Sequence, residues 1–265
     1  MKDFKFIKTK FLFPFVLEIK MSRPDVFNAF NDVMVSELTM AFSEANVDNN
    51  VRVIVLSAEG KHFSAGADIN WMKYASTASY DWNLKDARKV AEMFFQIEKS
   101  NKPTVARVQG SVFAGGIGLI CVCDVAVASE NSKFEVSEAK IGLIPSTIAP
   151  YLINAVGKKN AKYLSLTTSR ISAMEAIQIG LVQNVVADDY LDAAIESTSK
   201  KLLKSGPNSI VEIKSLFAKI DIGDVNENTR ELTAKTISRI RASEEAKEGF
   251  EAFFNKRKAK WLNNP

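Results

Sequence analysis

The chain has 265 residues, 46% of them hydrophobic, with 35 Lys and Arg against 31 Asp and Glu for a formal net charge of +4. That is enough for one substantial core with a smaller appendage, or for two modest domains. The mild charge argues against nucleic acid or a membrane surface as partner, and no apolar run approaches a membrane span.

The opening segment MKDFKFIKTKFLFPFVLEIK has scattered charges and a proline, Pro14, inside its longest apolar run, so it does not read as a secretory leader. A cytoplasmic protein is expected. Phe15–Ile19 reads as a strand. From Asn28 to Ala45 a stripe of Phe30, Val33, Met34, Leu38, Ala41 and Phe42 has helical spacing. Val51–Leu56 is short, apolar and β-branched, which suits a buried strand.

A loop of small residues follows, Gly60–Ile69 (GKHFSAGADI). Gly66 between Ala65 and Ala67 allows close backbone approach. Ser64 does not lie in a GxSxG turn, and the one histidine, His62, is only two residues from it. A catalytic imidazole ordinarily arrives from a distant segment with a carboxylate behind it, so the pattern argues against a hydrolytic triad and His62 reads as an ordinary loop residue.

Tyr80–Lys99 reads as a helix with Ala91, Phe94, Phe95 and Ile97 turned partly inward, and Pro103–Val108 as another buried strand. Gly110–Asp124 (GSVFAGGIGLICVCD) is the second small-residue loop. Its glycines miss the dinucleotide pattern because Cys121 stands where a third glycine belongs, and no GK[ST] follows for a phosphate loop. Cys121 and Cys123 read as reduced, buried thiols. With one histidine and no clustered Cys/His set, no metal site is expected.

Asp124–Ala128 is a third strand, and FEVSEAKIGLIP then brings Glu135 and Glu138. Glu138 precedes an apolar turn and follows two loops able to donate backbone N–H groups. A carboxylate in such surroundings has a raised pKa and can exchange protons near neutrality. Strand, loop and helix in alternation indicate an α/β fold with parallel pairing.

Beyond about Ala187 the text turns helical, in Leu191–Leu203, Asn208–Ile220, Asn226–Ile240 and Glu244–Lys258. Gly206-Pro207 separates the first two. A boundary near Lys200 is expected, giving residues 1–200 as core and 201–265 as a helical region. The basic excess of the chain end, Lys256, Arg257, Lys258 and Lys260, suits a solvated helix face or a phosphate contact.

Taken in order, RPDVFNAFN (Arg23–Asn31), FSAGADI, GSVFAGGIGL…CD, FEVSEAKIGLIP, the helical text at Tyr163–Thr168 and EGFEAFFNKRKAKW (Glu248–Trp261) resemble the crotonase superfamily of enoyl-CoA hydratases and isomerases over nearly the whole chain. The resemblance implies a spiral of ββα repeats and a C-terminal helical region that trimerises, often into a hexamer. It implies an acyl-CoA substrate, with coenzyme A carried as part of that substrate and no separate cofactor. The thioester oxygen would sit between the N–H groups of Ala67 and Gly115. Ala65, Asp68 and Ile69 would line the adenine, and Lys256 would approach the CoA phosphates, often from a neighbouring subunit.

One position departs from the two-glutamate pattern. Glu138 matches the second glutamate, whereas Gly118 stands at the first. The text around the loops looks closest to bacterial hydratases of branched, carboxylated acyl-CoAs such as methylglutaconyl-CoA and isohexenylglutaconyl-CoA. The resemblance therefore implies a hydratase working through Glu138. An isomerase that shifts a double bond is the alternative, and a non-catalytic acyl-CoA- or RNA-binding relative is a third.

Overall fold

The computed structural model describes residues 3–220 and 226–263, and the chain divides into two compact units, Met1–Ser197 and Thr198–Pro265. In the first unit β1 (Ile7–Phe13) and β2 (Val16–Met21) form an antiparallel hairpin that turns at Phe15, whose φ is 69°. Of the charges in the opening segment, Lys8 and Lys10 lie in β1, an edge strand, where they meet solvent. A short 3-10 turn (Pro24–Val26) leads to α1 (Asp32–Val47), capped by Asn31, whose Oδ1 accepts the Met34 N–H at 3.0 Å. The helix expected from Asn28 thus starts later, because Phe27 and Asn28 are left-handed, at φ 54° and 52°.

β3 (Val53–Ala58) is buried at every residue, as an apolar run in a parallel sheet should be. It is followed by α2 (Ile69–Thr77), α3 (Tyr80–Glu98), β4 (Thr104–Val108), β5 (Ser111–Phe113), α4 (Gly115–Cys121), β6 (Val125–Ser129) and β7 (Lys133–Glu135). A 3-10 turn (Glu138–Ile141), α5 (Ala149–Thr167), β8 (Ile171–Ser172), α6 (Ala173–Gln178) and β9 (Asn184–Val186) complete the sequence up to α7 (Leu191–Lys204), which spans the division between the units.

The strands form a six-stranded sheet in the order β1-β2-β3-β4-β6-β9, parallel from β2 onward, and a three-stranded sheet β5-β7-β8. Met93, Phe94 and Ile97 of α3 and Met34, Leu38 and Phe42 of α1 are buried in one core cluster with Ile19, Ile54 and Leu56. Of the residues expected to face inward on α3, Phe94 and Ile97 do so, whereas Ala91 is exposed and Phe95 is 46% exposed, because the buried stripe passes through Met93 rather than through either of them. The small sheet escaped sequence reading because strands of two or three residues carry no alternation to detect.

The second unit holds the end of α7 and the helices α8 (Pro207–Phe217), α9 (Glu227–Arg241), α10 (Glu244–Phe254) and α11 (Lys260–Asn263). Glu212 of α8 and Arg239 of α9 form a two-pronged ion pair at 2.8 and 2.6 Å. Glu245 of α10 accepts the Asn208 and Ser209 N–H groups, two of the orphan donors at the start of α8. Among the described residues no helix is long and apolar enough to cross a membrane.

Candidate active site

The first small-residue loop leaves β3 and is held from one side by the segment that precedes α1. The Phe30 N–H donates to the Gly66 carbonyl at 2.8 Å, and the Asp68 N–H donates to the Phe30 carbonyl at 3.0 Å. Those two bonds flank Ala67. In extended backbone successive N–H groups alternate in direction, so the Ala67 N–H faces away from Phe30. It has no acceptor among the described residues.

The second loop leaves β4 and passes through β5 to Ala114. This alanine holds φ 47° and ψ −123°, a strained conformation that costs about 1–3 kcal/mol. The strain turns the chain abruptly into α4, so that Gly115 is its first residue. Its N–H is one of the orphan donors of a helix start and also has no acceptor among the described residues.

The two loops are in direct contact. The Phe113 N–H donates to the Ser64 carbonyl at 2.9 Å, and the Ser64 N–H to the Ser111 carbonyl at 3.3 Å. A Cβ added at Gly66 would lie 2.9 Å from the Ala114 Cβ and 3.2 Å from the Gly115 nitrogen, at a φ of 85°. One added at Gly115 would meet the Phe30 ring at 2.4 Å. Glycine at these two places is what lets the loops close around Phe30. Ser64 is consumed by the clasp: its Oγ donates to the Asn28 carbonyl and accepts the Gly66 N–H. His62 has a structural task as well, its Nδ1 accepting the Ser111 N–H at 3.0 Å while its ring meets Phe27 edge-on.

Glu138 opens the 3-10 turn after β7, and one of its carboxylate oxygens, Oε2, is shielded from solvent and accepts no hydrogen bond. Burial pushes its carboxyl above the ordinary range, and the backbone N–H groups of Glu138 and Ser137 only partly oppose this. Gly118 lies one turn beyond Gly115 on α4. A Cβ there would fall 2.4 Å from Ile148 Cγ2 and 2.8 Å from Cε1 and Cζ of Phe94. Both neighbours are fully buried. The position is therefore filled by core side chains as well as lacking its own.

Of the other residues singled out, Ala65 donates its N–H to the Phe27 carbonyl at 2.9 Å. The Asp68 carboxylate caps α2 through the Asn70 N–H at 2.8 Å and pairs with Arg23 at 2.8 Å. Burial raises its pKa, but the Arg23 bond and those caps outweigh this and hold it ionised. Ile69 is 66% exposed at the first position of α2. Lys256 belongs to the second unit, where it is exposed in a left-handed turn after α10. Of its basic neighbours, Arg257 and Lys260 are paired with Glu248, whereas Lys256 forms no ion pair among the described residues.

Sequence reading missed the scaffold behind the loops. Asn28 is fully buried, and its Nδ2 donates to the Glu59 and His62 carbonyls at 2.8 Å each. A polar residue in a stretch taken for helix was the available signal, since asparagine tolerates the left-handed conformation.

Comparison with known proteins agrees with this architecture. The family model described as enoyl-CoA hydratase/isomerase matches residues 15–264. The chain is 30% identical to the 2,3-dehydroadipyl-CoA hydratase of Escherichia coli, over 91% of this chain and 93% of that one. An enoyl-CoA hydratase structure from Shewanella pealeana superposes with a TM-score of 0.93 at 36% identity, covering 97% of this chain and 96% of the other. AtuE of Pseudomonas aeruginosa superposes at 0.92 with 31% identity, covering 97% and 99%. The fold is the crotonase fold, and the chain belongs to the enoyl-CoA hydratase/isomerase family.

Proposed function

We propose that this enzyme adds water to a branched or carboxylated 2-enoyl-CoA through two backbone donors and one carboxylate. The reading rests chiefly on two unbonded N–H groups, Ala67 and Gly115, carried by loops that touch each other. Placed on a thioester oxygen, they stabilise the negative charge that appears there as the β carbon is attacked. One such donor contributes about two to three orders of magnitude in rate.

Glu138 takes a proton from water as the water oxygen bonds to the β carbon. The electron pair of the double bond moves onto the thioester as an enolate. The same carboxyl then returns a proton to the α carbon, so the elements of water add across the double bond and Glu138 ends as it began. No cofactor is required, since coenzyme A arrives with the substrate. Ala65, Asp68 and Ile69 would meet the adenine mainly through backbone, given the engagement of the Asp68 carboxylate. The relative named for 2,3-dehydroadipyl-CoA supports a carboxylated acyl group.

Exposed Ile213, Phe217, Phe253 and Phe254 in the second unit support a homotrimer or hexamer, in which Lys256 would meet the CoA phosphates of a neighbouring site. One observation favours the isomerase alternative: the filled space at Gly118 leaves no place for a second carboxylate. Incubation with a panel of enoyl-CoAs in H2(18)O separates the two. Hydration puts one heavy oxygen into the product, whereas movement of a double bond puts in none. A panel without turnover of either kind would refute both readings.

A further inference from the structure

Glu135, the last residue of β7, has a side chain only 4% exposed, yet both of its carboxylate oxygens are engaged. Oε1 accepts from Lys140 Nζ, and Oε2 accepts from Arg170 Nε at 2.9 Å. Lys140 belongs to the 3-10 turn that opens on Glu138. The Arg170 guanidinium lies over the Phe113 ring, 4.9 Å from its centre. Phe113 ends β5, two residues before Gly115. The main chain of Glu135 reaches the same strand end, where its carbonyl accepts the Ala114 N–H at 2.9 Å.

One residue therefore joins the turn that bears Glu138 to the strand end that delivers the Gly115 N–H. Burial raises the Glu135 pKa, but the bonds from Lys140 and Arg170 outweigh it and keep the group ionised below the usual carboxylate range. The pairing itself is a weak source of stability, because both cations are more than half exposed, while the buried carboxylate carries a desolvation cost that a well-packed apolar side chain would avoid. What an apolar side chain cannot do is hold two cations from two separate segments in fixed directions.

We propose that Glu135 is a positioning residue, holding Glu138 through Lys140 and holding the Gly115 strand end through Arg170 and its own carbonyl. The inference deepens the hydratase reading and rests on the roles given there to Glu138 and Gly115. A displacement of the reacting groups by an ångström costs up to about a hundredfold in rate. Substrate affinity, supplied mainly by coenzyme A contacts elsewhere, should change far less.

The test compares Glu135→Gln, Lys140→Met and the double variant with the native enzyme by amide hydrogen exchange and by kcat and KM on a turned-over enoyl-CoA. In Lys140→Met, exchange across residues 137–143 should rise while β3 and α1 stay protected, and kcat should fall about tenfold to a hundredfold with KM nearly unchanged. The double variant should be no worse than Glu135→Gln, because Lys140 acts through Glu135. Native exchange and native kcat in both single variants, with only Tm lowered, would overturn the proposal, as would fully additive losses. Should Glu135→Gln not fold, Lys140→Met, whose side chain is 53% exposed, decides alone. If the native enzyme turns over no enoyl-CoA, the hydratase reading falls, and hydrogen exchange still decides whether Glu135 holds the turn.

Discussion

Glu138 combines two features that stability alone would not select: a carboxylate oxygen without a hydrogen-bond partner and a pKa pushed upward by burial. As a general base it must be ionised, so kcat/KM should rise with pH through a limb lying above the range of an exposed glutamate. Glu138→Gln should lose about two to four orders of magnitude in kcat and lose that limb, as a pH–rate profile would reveal. The same substitution has an opposite effect on stability. A raised folded-state pKa gives stability that is present below the unfolded pKa and lost as pH rises through the folded one. Glu138→Gln should therefore melt above the native protein at pH 8, with the gap closing toward pH 4; a lower Tm at pH 8 would show that burial is not what perturbs the group.

At the scale of elements, α4 and the loops around it are fixed by contacts too close to admit a Cβ. Gly118 faces Ile148 and Phe94, one β-branched and one an aromatic ring, neither able to swing aside. Gly118→Ala should cost about 1–3 kcal/mol in denaturant unfolding. Gly118→Glu should destabilise the fold without raising hydratase activity, and a gain in kcat would show that the space opens in solution. The link between the two loops through His62 depends on pH. Burial, and then the Lys61 charge, push its imidazole pKa down. A depressed pKa gives stability present above the unfolded value of 6.5 and lost as pH falls through the folded one. The denaturant midpoint should decline from about pH 6.5 downward, and His62→Gln, with no proton to gain, should lack that part of the slope.

At the scale of the whole molecule, the second unit carries exposed aromatic and aliphatic side chains together with Lys256. If these assemble into a trimer in which Lys256 serves a neighbouring site, light scattering should give three or six times the mass of one chain. Lys256→Ala should then raise KM for CoA thioesters roughly tenfold with kcat preserved, the pattern of lost uniform binding. A monomer with native KM in that variant would remove Lys256 from the site.

The sequence by itself determined the apolar strands β2, β3, β4 and β6, the helices α1, α3 and α7 to α10 and the two small-residue loops, because each is written in a contiguous run of residues, whereas it left most of α5 unread. Tertiary structure alone decided what presses on those runs. Phe30 closing over Gly115, Asn28 holding two carbonyls of the first loop, Phe94 and Ile148 filling the space at Gly118, and Arg170 reaching Glu135 all join segments distant along the chain. Hydrophobic periodicity reports which face of an element is buried, and it carries no information about which distant side chain meets that face.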